Sequence, residues 1–357
     1  MVQYIIKKIL YSIVVFLGVV TVIFFLFNIL PGDSSRMLMG QRSDLQSLEA
    51  IRTELGLDQS FSRRYFKYLD DLSPLSVYSS HKESYFYYNT ETYQQSTVVF
   101  ETDNKSFVFK KPYLQRSFQS KKEVLQILSE TFFNTFLLAL VSIVFASILG
   151  IILGVFSALY KNTFYDKFIL VITSFGMSLP SFFAAILVGW LFAFKLSDYT
   201  HLNLTGNLYE LDDYGEKLTL QWKNLILPAL TLGIRPLSVV LQLSRNSMLD
   251  VLSQDYIRTA RAKGLSPYNV IMRHALKNSL NPVITSISGW LASMMAGVVF
   301  VEFIFGWKGL GFVIVEGVNN YDIPVVMGVV LLISIIFVFI TLLVDLVYLI
   351  LDPRVKY

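Results

Sequence analysis

The stretch that decides the fold is 131-TFFNTFLLALVSIVFASILGIILGVFSALY-160, thirty residues without a charge between Glu130 and Lys161. A transmembrane helix needs about 20 apolar residues to cross about 30 Å of hydrocarbon, so this stretch can span a bilayer by itself. The whole composition agrees, because hydrophobic residues make up 54% of the chain and charged residues only 16%. Soluble domains carry about 25% charged residues. The composition therefore excludes a cytosolic enzyme and a disordered chain, and the lack of cysteine excludes a disulfide scaffold.

Five further apolar stretches bring the predicted number of membrane-spanning helices to six. They are Ile9–Leu30, Phe168–Phe194, about Leu225–Met248, Asn278–Val301 and Ile323–Val344. The third of these is the weakest because it contains Arg235 and Arg245. The first could be read as a signal peptide, but it exceeds the about 7–15 apolar residues of a secretory signal. We therefore expect a retained helix.

The distribution of Lys and Arg predicts that both termini lie in the cytoplasm. In that orientation the inner segments hold twelve basic and four acidic residues, whereas the two short outer loops hold four basic and eight acidic residues. The predicted fold is an all-α polytopic membrane protein. Residues 1–30 hold the inner N-terminus and the first helix, 31–130 an outer segment, 131–351 the other five helices, and 352–357 an inner tail.

The outer segment 31–130 is predicted to carry a small α+β cap at about 73–113. Residues Gln46–Leu72 have mostly helical periodicity. Thr97–Glu101 and Ser106–Lys110 are β-prone runs around a polar turn, which predicts a hairpin. The many aromatic side chains of the cap could form a ligand surface. The simpler alternative is that they supply its own core.

Together with Arg245 just before it, the inner loop 249–280 carries half of the inner basic residues, and its sequence has an ordered local pattern. One helical face is formed by Ile257, Ala260, Gly264 and Leu265. Gly264 is predicted to end this helix. Ser266-Pro267 then begins another, with Ser as the N-cap and Pro at the first helical position. Membrane topology alone explains the positive charge of the loop but not this order of helix, Gly, Ser-Pro and helix.

At these residues the chain resembles the inner-membrane permeases of ATP-binding-cassette (ABC) importers. Asp255–Leu265 is similar to the EAA loop of the dipeptide/oligopeptide/nickel group, and His274–Pro282 continues the similarity. The stretches that agree with the first, or B-type, permease of that group are Leu30–Asp33, Glu54–Asp58, Leu227–Leu232, Glu302–Gly311 and Leu351–Arg354. The motifs are weak singly but highly specific in this order. The resemblance covers nearly the whole chain except about Ser73–Tyr113, which we therefore expect to be an insertion.

The resemblance implies a type I importer in which two permeases form a central path and each EAA loop docks into an ATPase subunit. The implied ATPase contacts are Tyr256, Arg258, Thr259, Ala260, Arg261, Ala262, Lys263, Gly264, Leu265 and His274. The implied contacts with an extracytoplasmic solute-binding protein are Phe305, Trp307 and Lys308. The general motif begins Glu-Ala-Ala where this chain has Arg258-Thr259-Ala260, so the ionic partners of the loop would differ.

The sequence has no G-x-x-x-x-G-K-[ST] loop, which ATP-hydrolysing subunits of this kind use to bind phosphates. We therefore expect that the chain is not an enzyme, binds no cofactor or metal itself, and depends on two partner ATPase subunits that hold ATP and Mg²⁺. The other expected partners are a second homologous permease, the solute-binding protein and the lipid bilayer. Nucleic acid is not expected.

Polar groups inside a membrane are costly and suggest function. The candidates for the substrate path are Asn28, Asn134, Arg235 and Gln242. Arg235 could instead lie near an interface and reach water with its long side chain. Asp345 is expected to cap a helix or to pair with a basic residue of the inner loop, and Gly150 and Gly154 to pack against another helix.

The chain is predicted to be a permease subunit that forms half of the translocation path of an importer for short peptides or nickel chelates. The main alternative is an ion-coupled secondary transporter. That class typically shows internal repeats and charges near the bilayer midplane. The sequence shows no convincing repeat and a single deep charge, Arg235.

Overall fold

The computed structural model describes residues 2–29, 56, 58–81, 84–90, 92–93, 96–212 and 215–351. The chain divides into two compact units. A helical unit combines Met1–Phe16, Thr131–Val315 and Ile333–Tyr357, and a cap unit combines Leu17–Glu130 and Glu316–Leu332. The predicted contributions of Leu30–Asp33, of Gln46–Leu55 and of the tail 352–357 lie outside the described residues.

The described helices are, in chain order, α1 (Val2–Ile29), α2 (Phe61–Leu72), α3 (Val124–Leu159), α4 (Phe164–Ser178), α5 (Ser181–Val188), α6 (Ser197–Thr200), α7 (Lys223–Leu252), α8 (Asp255–Ala262), α9 (Pro267–Asn269), α10 (Leu276–Ser279), α11 (Asn281–Gly297), α12 (Val299–Ile304), α13 (Leu310–Asn319) and α14 (Ile323–Leu351). Two π-helical segments, Gly189–Lys195 and Val270–Ala275, continue α5 and α9. The described strands are β1 (Leu75–Ser79), β2 (Ser96–Thr102), β3 (Lys105–Lys110), β4 (Tyr209–Leu211) and β5 (Leu218–Leu220).

Four of the described helices are long and apolar enough to cross a membrane. The spans are Ile6–Asn28, Val124–Leu159, Lys223–Leu252 and Ile323–Asp345. They correspond to the first, second, fourth and sixth predicted spans. The protein is therefore a helical, multi-pass membrane protein.

The third predicted span, Phe168–Phe194, is not one straight helix. It is broken between α4 and the segment Ser181–Lys195, which are bent by 115°. Leu179, which precedes Pro180, has an extended backbone with φ −73° and ψ 129°. A residue before proline is pushed out of the helical conformation because the proline ring clashes with it, and this explains the break.

The fifth predicted span, Asn278–Val301, is also interrupted. It contains α11, which has 17 residues, and the start of α12, with Val298 between the two helices. This helix is shorter than the about 20 residues that a span requires. The total of six spans therefore stays a prediction.

Close helix packing in the helical unit depends on glycine. A Cβ atom on Gly154 of α3 would lie 2.5 Å from the carbonyl oxygen of Leu241 in α7. One on Gly150 would lie 3.0 Å from the carbonyl oxygen of Leu237. Only glycine permits this approach of two backbones, so the predicted packing role of Gly150 and Gly154 is confirmed.

In the cap unit, three described strands form an antiparallel sheet in the order β1-β3-β2. Strands β2 and β3 form the predicted hairpin, and Asp103 and Asn104 connect them. The sequence did not predict β1. It also did not predict the β4–β5 hairpin of the helical unit. The predicted helix Gln46–Leu72 is confirmed for α2 and wrong for Gly56 and residues 58–60, which are described and are not helical.

Two classes of aromatic residue lie on opposite faces of the sheet. The buried face carries tyrosines: Tyr78 and Tyr93 pack with Val108, and Tyr88 and Tyr113 lie against them. The phenylalanines and aliphatic residues of the other face are exposed, namely Leu75, Val77, Phe100, Phe107 and Phe109. The alternative that the aromatic residues supply the core of the cap is therefore confirmed for these tyrosines and wrong for Phe100, Phe107 and Phe109.

A polar network closes the base of the cap. The Tyr93 hydroxyl donates to Asp71 Oδ1 over 2.6 Å, and Lys110 Nζ donates to the carbonyl oxygen of Asp71 over 2.7 Å. Burial raises the pKa of the Asp71 carboxyl, and the charge of Lys67 opposes that effect. The amide of Tyr113 donates to the same Asp71 carbonyl over 2.8 Å. The two ends of the segment 73–112 are therefore adjacent in space.

Candidate functional site

Helix α8 is held against the helical unit by one apolar face. Ile257 is 0% exposed and Ala260 is also buried. Both belong to one buried apolar cluster with Ala158 of α3 and Met248 of α7. Val270 and Ala275 of the following π-helical segment complete this cluster. We call the four residues of this cluster that lie outside α8, namely Ala158, Met248, Val270 and Ala275, the seat of α8. The helix thus rests on the ends of two membrane-spanning helices.

Helix α8 ends as the sequence predicts. Gly264 has a φ of +76°, in the left-handed region that favours glycine. Its amide donates to the Arg261 carbonyl oxygen over 3.0 Å. The predicted apolar face is shorter than expected, because the chain turns at Gly264 and leaves Leu265 38% exposed.

The next helical segment begins with the predicted cap. The Ser266 side chain accepts a hydrogen bond from the Asn269 amide, and Pro267 occupies the first turn. Further along, Asn278 Nδ2 donates to the Tyr256 hydroxyl over 3.0 Å and to the His274 carbonyl oxygen over 3.2 Å. Tyr256 and His274 are thus connected through one amide group, which ties α8 to the returning chain.

The other face of α8 is open and basic. Eight of the predicted ATPase contacts are exposed on or just after it, namely Tyr256, Arg258, Thr259, Arg261, Ala262, Lys263, Gly264 and Leu265. Arg258 makes a loose contact of 3.5 Å with Asp255, and both side chains are largely exposed. Arg261 and Lys263 have no ion-pair partner in the described part of the chain. The arrangement therefore offers unpaired positive charge on a rigidly seated helix.

Two of the four path candidates make specific contacts within their own units. Asn28 Nδ2 donates to the Phe24 carbonyl oxygen over 2.8 Å, and its Oδ1 accepts from Arg64 of α2. Asn134 Nδ2 donates to the Lys308 carbonyl oxygen over 2.8 Å. These amides fix the chain locally, which is a sufficient reason for their presence.

The other two path candidates lie seven residues apart on α7 and so share a helix face. Arg235 is exposed and has no hydrogen bond or ion pair with any described residue. Gln242 is half-buried and makes only a 3.3 Å contact with Met177 Sδ. These two side chains therefore remain open to another molecule.

The predicted contacts with a binding protein are mostly inaccessible. Phe305 and Trp307 are 1% and 0% exposed, within the main core of the helical unit. Trp307 Nε1 donates to the Asn134 carbonyl oxygen over 3.0 Å. The burial of both rings does not agree with a direct contact to a partner. Lys308 is exposed and keeps the accessibility that the prediction requires.

The buried carboxylate that organises this segment is Glu302, which the sequence analysis missed. Its Oε2 accepts from the Gly311 and Phe312 amides over 2.7 and 3.1 Å, at the start of α13. Its Oε1 accepts from the Thr135 hydroxyl over 2.7 Å. A methyl group on Gly309 would overlap that carboxylate. An acid directly before a Gly-rich turn was the available signal, because carboxylates stabilise helix N-termini.

Asp345 does not pair with the inner loop. Its Oδ2 lies 2.6 Å from Lys8 Nζ, so the charge of the last helix meets a base of the first helix. The described residues contain no group of three or more His, Asp or Glu side chains that could hold a metal ion.

The family model for the inner membrane component of binding-protein-dependent transport systems matches residues 150–357. A second model, for the N-terminal part of such components, matches residues 1–102. This second match reaches into residues 73–113, so the predicted insertion is not confirmed.

Relatives are similar over their full lengths. The dipeptide transport system permease protein DppB of Alkalihalophilus pseudofirmus is 30% identical over 370 residues, which cover 100% of both chains. The glutathione transport system permease protein GsiC of Escherichia coli K12 is 30% identical over 358 residues, again with 100% of both chains covered. The crystal structure of an amino acid ABC transporter with histidines is 12% identical and covers 63% of this chain and 94% of that one, with a TM-score of 0.44. The chain therefore belongs to the family of inner membrane components of binding-protein-dependent transport systems, as a permease of the dipeptide/oligopeptide type.

Proposed function

We propose that this permease forms half of the translocation path of an ABC importer for short peptides. It pairs with a second homologous permease, receives cargo from an extracytoplasmic solute-binding protein, and is driven by two ATPase subunits that bind ATP and Mg²⁺. The cargo is proposed from the names of the relatives, which refer to dipeptide and glutathione transport.

The observation that carries the proposal is the two-sided character of α8. One face is buried on the ends of α3 and α7 through Ile257 and Ala260. The opposite face presents Arg261 and Lys263 without partners among the described residues. A basic helix that is fixed on one side and open on the other is suited to receive force from a docked subunit. We therefore assign it as the coupling helix.

The proposed topology has six spans with both termini in the cytoplasm. The ion pair between Lys8 in α1 and Asp345 in α14 supports it. Lys8 lies near the start of α1 and Asp345 near the end of α14, so their contact agrees with a first helix that begins on the side where the last helix ends. This is what an even number of spans produces.

The test uses single cysteines, since the chain has none of its own. Thr259→Cys is placed on the exposed face of α8, and Tyr199→Cys serves as the matched control because it is 85% exposed in a predicted outer loop. Each variant is made in the intact complex in inside-out membrane vesicles and treated with a short bifunctional maleimide–amine reagent.

We expect Thr259→Cys to form a covalent adduct with an ATPase subunit and Tyr199→Cys to form none. A membrane-impermeant maleimide should label Thr259→Cys in inside-out vesicles and Tyr199→Cys in right-side-out vesicles. The complex in proteoliposomes should take up a labelled dipeptide only with ATP and its binding protein. An ATPase adduct at Tyr199→Cys, or uptake without ATP, would refute the proposal.

A further inference from the structure

A buried ion pair joins α4 to α7 next to the seat of α8. Arg245 Nε donates to Asp166 Oδ1 over 2.7 Å, and Arg245 Nη2 donates to Asp166 Oδ2 over 2.8 Å. The two side chains are 13% and 2% exposed. A two-pronged contact of this kind fixes both distance and orientation, because the guanidinium and the carboxylate are planar.

The same carboxylate also holds α3. The Ser157 hydroxyl, in the last turn of α3, donates to Asp166 Oδ1 over 2.5 Å. The Asn162 amide, in the turn between α3 and α4, donates to Asp166 Oδ2 over 2.8 Å. Four donors therefore converge on one carboxylate. A buried ion pair needs such additional hydrogen bonds to offset the loss of water.

The three helices also touch through glycine, beside this pair in α3 and ten residues from Asp166 in α4. A Cβ atom on Gly154 of α3 would lie 2.7 Å from the Ser244 Cβ and 3.1 Å from the Arg245 nitrogen. One on Gly176 of α4 would lie 2.6 Å from the Ser238 hydroxyl of α7. Since packed interiors are rigid, helices α3, α4 and α7 form a block at this end.

The ion pair lies directly behind the seat of α8. Ser157 precedes Ala158, and Met248 follows Arg245 by three residues, which is less than one helical turn. Ala158 and Met248 belong to the same buried cluster as Ile257 and Ala260. A displacement of α8 is therefore delivered to the parts of α3 and α7 that the pair connects, and through Asp166 to α4.

We propose that the Asp166–Arg245 pair is the joint that makes the ends of α3, α4 and α7 move together when a partner ATPase displaces α8. The two residues are positioning residues, which touch neither ATP nor cargo. They determine how much of the displacement of α8 is transmitted to the helices of the translocation path. This inference rests on the proposed function of the chain as an importer permease.

The test measures coupling apart from assembly, in the intact complex in proteoliposomes with binding protein and labelled dipeptide. Asp166→Asn keeps the side-chain shape but removes the charge. Arg245→Lys keeps the charge but loses the two-pronged contact. Ser244→Ala is the matched control, because this buried hydroxyl next to Arg245 has no partner among the described residues. ATP hydrolysis and dipeptide uptake are measured on the same samples.

We expect Asp166→Asn and Arg245→Lys to raise the number of ATP molecules hydrolysed per dipeptide at least tenfold, while the ATPase subunits co-purify in wild-type amounts. Ser244→Ala should leave that ratio unchanged. A purely structural role would lower melting temperature, hydrolysis and uptake together at a constant ratio, and that result would overturn the proposal.

A milder variant keeps the question answerable if Asp166→Asn fails to assemble. Ser157→Ala removes one hydrogen bond to Asp166 and leaves the ion pair intact. It should raise the ratio about threefold, and an unchanged ratio would count against the joint. Failure of the proposed function is recognised separately, since the wild-type complex would then show no ATP-dependent uptake.

Discussion

Replacement of Gly264 by Glu is the most direct perturbation of the coupling helix. Gly264 ends α8 with a φ of +76°, and an added Cβ atom would meet no atom within 4 Å. The substitution therefore places a side chain and a negative charge in open space, at the corner where α8 gives way to the next helical segment.

The expected cost to the fold is small. A residue with a Cβ atom in the left-handed conformation loses about 1–2 kcal/mol relative to glycine. No steric overlap adds to this cost, because the surroundings are open. Against a typical stability of about 5–15 kcal/mol, the chain should still insert and fold. We expect an acidic ATPase cleft, and like charges placed against each other across an interface cost several kcal/mol of binding. About 2 kcal/mol already corresponds to more than a tenfold loss.

The assay compares three variants in the assembled complex. Gly215→Glu is the matched control: Gly215 has a φ of +72°, its Cβ position is equally open, and it lies between β4 and β5. Gly264→Ala imposes the backbone strain without the bulk and charge. Co-purified ATPase, ATP hydrolysis and dipeptide uptake are measured for each.

We expect Gly264→Glu to be present in the membrane at wild-type levels and to lose uptake at least tenfold. Gly215→Glu should retain uptake, and Gly264→Ala should fall between the two. Normal import by Gly264→Glu would show that α8 is not the coupling helix. An equal loss in Gly215→Glu would show that backbone strain, rather than docking, causes the effect.

Three further predictions concern other parts of the chain. Deletion of Ser73–Pro112, closed by a short Gly-Ser linker, should leave dipeptide uptake intact, because we expect this part of the cap to be accessory. The linker is short because Asp71 and Tyr113, next to the ends of the deletion, are hydrogen-bonded. Lost uptake with normal expression would contradict this. Gly309→Ala should destabilise the protein by about 1–3 kcal/mol through overlap with Glu302, seen as a lower melting temperature in detergent, whereas Gly297→Ala has free space and should not. Arg235→Cys should lose uptake and regain it after a cationic thiol reagent but not after an anionic one; equal effects of both reagents would exclude a role for positive charge in a watery path.

The inner loop was predictable because its signals are local. Gly264 predicts a left-handed backbone and Ser266-Pro267 predicts the start of a helix, and both features occur within two residues of these signals. The buried face of α8 was readable from the spacing of Ile257 and Ala260. The end of this face could not be predicted, because helical periodicity continues in the sequence beyond the point where the chain turns. Leu265 was therefore wrongly assigned to the buried face.

The contacts that the sequence could not predict join residues far apart in the chain. Thr135 and Glu302 are separated by 167 positions, and Asn134 and Trp307 by 173. The resemblance implies that Trp307 contacts a partner, yet Trp307 is buried and its indole donates to the Asn134 carbonyl oxygen in α3. The bend at Pro180 had a local signal, but the total of apolar residues concealed it.

Pairing also changes how the charge distribution is interpreted. Arg245 was counted among the inner basic residues and Asp166 among the inner acids, and the two neutralise each other in the interior. Lys8 is paired with Asp345, although these two side chains are 37% and 31% exposed. The exposed positive charge that remains among the described inner residues includes Arg261 and Lys263 at the end of α8, together with Lys161, Lys167, Arg273 and Lys277. Since complementary charges set the orientation of docked proteins, we expect the ATPase cleft that receives this helix to be lined with acidic side chains.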